Sequence, residues 1–169
     1  MSLLSPDYYL KDLTCIDPHD LKKRGIKAVL LDRDNTLVSR EKTEASDEVI
    51  AWIHSLKEHD LKVMLVSNSF SPMIAKEAEA LGIDYIDRAL KPLPIGVSEA
   101  MRRLEVDKLE TAMVGDQIFT DVVAANLSGV VSILVEPLTS VDLWHTVQLR
   151  KVEALVLGGR EAQESLDAS

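Results

Sequence analysis

The chain has 169 residues, enough for a single hydrophobic core and short for two. Its 28 acidic and 19 basic residues give a formal net charge of −9. This charge argues against nonspecific nucleic-acid binding, which requires a basic surface. No apolar run approaches the roughly 20 residues that span a bilayer. Because the N-terminus also lacks the pattern of a signal peptide and the lone Cys15 cannot form an internal disulfide, we expect a cytoplasmic protein.

The N-terminal segment 3–11 combines apolar and aromatic residues, and the basic cluster Lys22-Lys23-Arg24 follows it. Two interpretations are open at this stage. The segment and the cluster could together contact an anionic membrane surface. Alternatively, the segment could form a helix that packs on the edge of a sheet.

The first predicted strand of the core is the apolar run Ala28–Leu31, and Asp32 and Asp34 follow it directly. Where a strand opens into a loop, residues two apart can point at one solvent-facing spot, so these aspartates are expected to share a site. Two close carboxylates repel each other, and either a cation lies between them or one retains its proton. The alternative is a polar loop with a local turn and a helix cap.

The next two predicted strands also end in polar residues. Val63–Val66 is followed by Ser67-Asn68-Ser69, and Ile83–Ile86 is followed by Lys91. A hydroxyl at such a strand end can bind a phosphate oxygen. The alternatives are that Ser67 merely begins a loop, with Ser71 capping the next helix, and that Lys91 is an ordinary solvated residue.

A fourth strand is predicted over 111–114, and Gly115 after it permits a tight turn. Asp116 then emerges at the strand end, and Asp121 follows. The alternative is that Asp121 or Thr120 caps the helix that comes next.

Helical periods separate the strands. Ser46 is expected to cap one helix and Ser71 the next, and Gly82 is placed to end the second of these. A further strand is predicted over 130–135. The alternation of strands and helices favours an α/β fold with a parallel, right-handed, doubly wound sheet. We expect one domain over 1–169, with a core at about 25–157 and a loosely ordered tail at about 158–169.

Taken together and in this order, the strand ends resemble the four motifs of the haloacid dehalogenase (HAD) phosphatases. Asp32-x-Asp34-x-Thr36 resembles motif I, Ser67 motif II, Lys91 motif III, and the stretch from Gly115 to Asp121 motif IV. The residues around motif I and the stretch 115–117 are similar, more narrowly, to the bacterial YqeG group of class III HAD phosphatases, which is related to phosphatidylglycerophosphate phosphatases. This resemblance implies a HAD-like, three-layer α/β/α fold.

The resemblance also implies a Mg²⁺-dependent phosphatase that works through an aspartyl phosphate. The implied catalytic residues are Asp32 as nucleophile, Asp34 as general acid and base, and Ser67 and Lys91. The implied metal ligands are Asp32, Asp34 through its backbone carbonyl, Asp116 and Asp121, the last directly or through water. The residues implied to hold the substrate phosphate are Ser67, Asn68 and Lys91.

The intervals between the motifs each hold about one helix, so the chain has no room for a cap domain and the site is expected to be open. An open site suits a lipid head group at the inner membrane face or a phosphorylated macromolecule, unless a second subunit of a homo-oligomer supplies a lid. Arg33 stands where the YqeG group has an aliphatic residue. An arginine at this position resembles the sugar-phosphate and histidinol-phosphate branches of class III, so a phosphatase that acts on a soluble substrate is the alternative. A further alternative is a non-catalytic module that binds phosphate. A missing motif residue would favour this alternative, and none is missing.

Overall fold

The computed structural model describes residues 2–139 and 144–167, and side chains in the second range from 147 onward. Six strands form one sheet, and every adjacent pair runs parallel. In chain order they are β1 (Tyr8–Leu10), β2 (Ala28–Leu31), β3 (Lys62–Val66), β4 (Asp84–Ile86), β5 (Thr111–Gly115) and β6 (Val131–Val135). Their order across the sheet is β1-β6-β5-β2-β3-β4.

Helices connect the strands. They are α1 (Pro18–Lys23), α2 (Asp47–Glu58), α3 (Pro72–Leu81), α4 (Ile95–Leu104), α5 (Val123–Ser128) and α6 (Trp144–Leu157), with short 3₁₀ turns at Leu13–Cys15 and Lys108–Glu110 and a π-helical turn at Ile118–Val122. Within the described part of the chain, no helix is both long enough and apolar enough to cross a membrane.

Helices cover both faces of the sheet. In β2, Val29 and Leu31 join an apolar cluster with residues of α2 and α3. Leu30, which points the other way, joins a cluster with residues of α4 and α5. A strand buried on both faces is apolar at every position, which is why the sequence of β2 does not alternate. The predicted α/β fold with a doubly wound parallel sheet is confirmed.

The predicted helix boundaries of α2 and α3 are also confirmed. The Ser46 hydroxyl accepts a hydrogen bond from the Val49 amide at 3.3 Å, and the Ser71 hydroxyl accepts one from the Met73 amide at 3.2 Å. Gly82 ends α3 with a φ of 65°, in the left-handed region that favours glycine. Between β2 and β3 the chain has α2 as its one helix, and between β3 and β4 it has α3, so neither interval contains a cap domain.

The N-terminal segment is not the helix that was one of the two expectations, while the membrane contact stays a prediction. It forms β1, an edge strand beside β6, rather than a helix, and Asp7 fixes it by accepting from the Ser132 amide at 2.9 Å. The basic cluster 22–24 ends α1 and precedes the amino end of β2, whereas Asp32 follows the carboxyl end. A membrane contact through this cluster would therefore face away from Asp32.

The C-terminal segment 160–167 is packed on the domain, which corrects the loosely ordered tail expected there. Gln163 exchanges backbone hydrogen bonds with the β1 region, and Leu166 is buried in the core. The guanidinium of Arg24 pairs with Asp167 at 2.6 Å. The apolar Leu166 explains the difference, because it removes its side chain from water only if the tail folds back.

Candidate active site

Three neighbouring strands bring their polar ends together. Because β2 lies between β5 and β3 in a parallel sheet, Asp32, Ser67 and Asp116 emerge side by side at the carboxyl edge. A small cavity of about 100 Å³ opens there. It is lined by Asp32, Asp34, Arg40, Asn68, Lys91, Gln117 and Thr120.

Lys91 lies at the base of this site. Its Nζ donates to Asp32 Oδ1 at 2.9 Å and to Asp121 Oδ1 at 2.6 Å, and the side chain is buried. Burial by itself would lower the pKa of Lys91, but the charges of Asp121 and Asp32 outweigh it and raise the pKa above the ordinary value. Lys91 is thus a buried cation between two acids and not a solvated surface residue.

Three acidic side chains form a cluster that can hold a metal ion. Carboxylate oxygens of Asp32, Asp116 and Asp121 all lie within 4.8 Å of one another, and the three residues are buried. Burial, together with the charges of Asp32 and Asp121, raises the pKa of Asp116 well above its usual range. Burial and the charge of Asp32 likewise raise the pKa of Asp121 to about 6. Buried oxygen ligands that repel one another suit a hard divalent cation such as Mg²⁺.

Gly115 allows Asp121 to approach β5. A Cβ added to Gly115 would lie 2.2 Å from Cγ of Asp121, far inside van der Waals contact. Because the backbone of Gly115 does not adopt a positive φ, the expected tight turn is not the reason for this glycine.

Asp121 and Thr120 do not cap the helix that follows, since both lie inside the π-helical turn. Asp121 Oδ2 accepts from the Gln117 amide at 3.2 Å. The hydroxyl of Thr120 donates to the Gln117 side-chain oxygen at 3.0 Å. The turn therefore aims the Asp121 carboxylate back toward β5 and Lys91.

Asp34 stands apart from the three-acid cluster and remains 37% exposed. Arg33 donates to its Oδ1 at 2.7 Å, and the hydroxyl of Ser69 donates to its Oδ2 at 2.5 Å. Arg33 also pairs with Glu77 of α3 at 2.5 Å and is largely buried. The guanidinium thus fixes the Asp34 carboxylate to α3.

The two predicted phosphate-binding residues after β3 differ in their contacts. The buried Ser67 hydroxyl accepts from the Ser69 amide at 3.1 Å. The side chain of Asn68 instead holds the backbone of Lys91, with its amide group donating to the Lys91 carbonyl and its oxygen accepting from the Lys91 amide, both at 2.7 Å. Asn68 therefore positions Lys91, and because it also lines the cavity, its expected role at the phosphate stays a prediction.

Three further residues contact the site, and no role was predicted for any of them from the sequence. Arg150 on α6 donates to the carboxylate and the carbonyl of Asp116, and Glu153 accepts from the Ile118 amide at 2.6 Å. The hydroxyl of Thr36 lies 3.1 Å from Asp116 Oδ1. Thr36 was visible within motif I, whereas the spacing of Arg150 and Glu153 indicates only that they share one helix face.

Comparison with known proteins is consistent with this geometry. The family model described as mitochondrial PGP phosphatase matches residues 1–139. The probable phosphatase YqeG of Bacillus subtilis is 38% identical over 152 residues, which cover 90% of this chain and 88% of that protein. The phosphatidylglycerophosphate phosphatase 1 of Arabidopsis thaliana is 32% identical over 163 residues, and the chain spans about half of its length, 47%.

A solved structure shares the fold at much lower sequence identity. The cobalt-bound deoxy-D-mannose-octulosonate 8-phosphate phosphatase of Haemophilus influenzae aligns with a TM-score of 0.57 and 19% identity. The alignment covers 81% of this chain and 90% of that one. The chain accordingly belongs to the PGP phosphatase family and is a phosphatase.

Proposed function

We propose that this phosphatase hydrolyses phosphomonoesters with Mg²⁺ through an aspartyl phosphate on Asp32, and that its substrate is a phosphatidylglycerophosphate-type lipid. The observation that carries the chemistry is the environment of Asp32. This side chain lines the cavity, Lys91 holds one of its oxygens at 2.9 Å, and two other carboxylates lie within 4.8 Å.

In the first step, a carboxylate oxygen of Asp32 attacks phosphorus, and the bond from phosphorus to the ester oxygen breaks. The half-exposed carboxyl group of Asp34 donates its proton to the leaving alkoxide. In the second step, Asp34 takes a proton from water, the water oxygen attacks phosphorus, and Asp32 is released. Arg33 and Ser69 hold the Asp34 side chain in place for both proton transfers.

Two groups balance the negative charge of the phosphate: side chains of the site and a bound metal ion. The hydroxyl proton of Ser67 and the ammonium of Lys91 are assigned to the phosphate oxygens, where negative charge is spread in the transition state. The carboxylates of Asp32, Asp116 and Asp121 and the backbone carbonyl of Asp34 would hold Mg²⁺. When bound, the ion neutralises phosphate charge and orients the phosphoryl group.

The substrate proposal rests on the relatives and on the open site. The Arabidopsis relative is a phosphatidylglycerophosphate phosphatase by its name. No cap domain is inserted between β2 and β4, so a head group could reach the cavity while its acyl chains remain in a bilayer at the cytoplasmic face. Arg33, which favoured a soluble substrate, is held by Glu77 and Asp34, so its guanidinium serves an internal contact.

The test has two stages. Hydrolysis of p-nitrophenyl phosphate should require Mg²⁺ and stop in EDTA, and activity that persists in EDTA would contradict the metal proposal. The second stage compares kcat/KM for phosphatidylglycerophosphate in mixed micelles with glycerol 3-phosphate, histidinol phosphate and sugar phosphates. If kcat/KM were about tenfold higher for a soluble ester, which corresponds to about 1.4 kcal/mol of transition-state discrimination, the proposed substrate would be that soluble ester and not the lipid.

A further inference from the structure

An exposed apolar surface borders the cavity on its β3–β4 side. Phe70, Leu90, Leu93 and Ile95 are each more than half exposed, and we call these four residues the apolar rim. Phe70 lies in the loop after β3. The other three belong to the loop after β4 and the start of α4, the same stretch that carries Lys91.

Hydrogen bonds tie the two loops of the rim to each other. The Ala89 amide donates to the Ser67 carbonyl at 2.9 Å, and the Arg88 amide donates to the Ser69 carbonyl at 3.3 Å. The side chain of Asn68 joins the same loops through the backbone of Lys91. Any surface that contacts the rim is therefore held next to the catalytic cavity.

One residue of the rim, Leu90, has an unfavourable backbone conformation and an exposed side chain. Leu90 has a φ of 60°, in the left-handed region that is unfavourable for a residue with a branched side chain. Such strain persists where the surrounding contacts impose it, and here the side chain still remains 55% exposed. Strained, exposed apolar residues beside an active site point to an external contact.

The rim also carries a positive charge. The guanidinium carbon of Arg88 lies 3.6 Å from the centre of the Phe70 ring, and Arg88 is itself exposed. An apolar surface with a cation at its border matches the interface of an anionic bilayer, where acyl chains and phosphate groups meet. The net charge of −9 repels an anionic bilayer overall, so the local positive charge of Arg88 determines which face of the protein turns toward the bilayer.

We propose that the apolar rim and Arg88 dock this protein onto an anionic phospholipid bilayer, with the cavity facing the lipid head groups. The proposal rests on the lipid substrate proposed above and names the surface that meets it. It differs from the N-terminal contact expected from the sequence, because the basic cluster 22–24 lies at the amino end of the sheet. The rim lies at the carboxyl end, beside Asp32 and Lys91.

The test measures binding to vesicles without turnover. Vesicles of phosphatidylcholine with about one third phosphatidylglycerol are compared with pure phosphatidylcholine by flotation. The rim variant is Phe70→Ser with Leu93→Ser. The matched control is Leu109→Ser with Leu127→Ser, two exposed leucines next to the amino ends of β5 and β6.

We expect the rim variant to lose about tenfold or more in vesicle partition, while the control partitions like the unaltered protein. Arg88→Gln should weaken binding to the anionic vesicles and leave the weak binding to phosphatidylcholine unchanged. A second pair, Leu93→Ser with Ile95→Ser, repeats the test without altering the stacked Phe70. Circular dichroism verifies that each variant is folded.

Equal partition of the rim and control variants, or no vesicle binding by the unaltered protein, would overturn the proposal. Light scattering gives another contrary outcome: a dimer that only the rim variant dissociates, with vesicle binding unchanged, would assign the surface to a second copy of the chain. Rim-dependent binding without hydrolysis of the lipid would support docking and remove the lipid substrate. Hydrolysis of the lipid by a protein whose vesicle binding does not depend on the rim would support the lipid substrate and remove the docking proposal. The two proposals can therefore fail separately.

Discussion

The ammonium nitrogen of Lys91 lies 2.9 Å from Oδ1 of Asp32, at the carboxyl edge of a sheet in which the two residues follow different strands. The same nitrogen lies 2.6 Å from Asp121. One buried cation thus restrains the proposed nucleophile and one proposed metal ligand. The charge of Lys91 therefore balances these carboxylates even when no substrate is bound.

Lys91→Ala should lower kcat by about 10²- to 10³-fold and raise KM for p-nitrophenyl phosphate, because a fixed positive charge near the phosphate is lost. The variant should also be less stable, since two buried acids lose their partner. Lys91→Arg should restore activity only in part because its planar fork has a different reach. Steady-state kinetics of these variants and of Lys22→Ala, an exposed lysine at the far end of the sheet, measure the effect, and wild-type kinetics in Lys91→Ala would remove the lysine from the site.

Asp34→Asn should affect poor leaving groups most. An amide cannot donate the proton that an alkoxide needs, whereas a nitrophenolate leaves without it. We therefore expect a loss in kcat/KM that is at least about tenfold greater for an alkyl phosphate than for p-nitrophenyl phosphate. Equal losses for the two esters would show that Asp34 is not the general acid.

Gly115→Ala should weaken Mg²⁺ binding although glycine 115 offers the metal no ligand. The new Cβ would fall 2.2 Å from Cγ of Asp121, so the carboxylate must move away from Asp32 and Asp116. Isothermal titration with Mg²⁺ should show an affinity at least about tenfold lower, as expected when the support of a metal ligand is disturbed. Lys22→Ala, an exposed lysine at the far end of the sheet, is the control, and unchanged Mg²⁺ affinity in Gly115→Ala would place the ion elsewhere.

Mg²⁺ affinity should fall as the pH drops through about 6, because burial and Asp32 raise the pKa of Asp121 to about 6 and burial raises that of Asp116 as well. Below that pH the folded protein holds protons on the ligands, so Mg²⁺ must displace them, whereas above it the ligands are ionised. Titrations at pH 5 and 7.5 should differ by about tenfold or more, with proton release on binding at the lower pH. An affinity independent of pH over this range would contradict the assignment of these aspartates.

The local sequence was sufficient to predict the core of the fold and most of the site. Each apolar run of β2, β3 and β5 is followed by a residue of the candidate site, and a parallel sheet necessarily brings these strand ends to one edge. The acids and the lysine could therefore be placed together without knowing the packing. Local signals also fixed the start of α2 and α3, because the caps at Ser46 and Ser71 depend only on neighbouring residues.

What could not be predicted depends on contacts between distant segments. Arg150 reaches Asp116 from α6, and no motif in its neighbourhood identifies it. The role of Gly115 depends on where Asp121 lies, and the role of Asn68 on where the Lys91 backbone passes. The strand β1 has three residues, too few for a period to be recognised, and it forms because β6 offers it a paired edge.

The most direct test of the proposed chemistry is the turnover of Asp32→Asn. The amide is a poor nucleophile, so hydrolysis of p-nitrophenyl phosphate with Mg²⁺ should fall by about 10⁴-fold or more, while circular dichroism shows an unchanged fold. Asp60→Asn, an exposed aspartate on the loop before β3, should retain full activity. Residual turnover of Asp32→Asn above about one hundredth of wild type would contradict nucleophilic catalysis by Asp32.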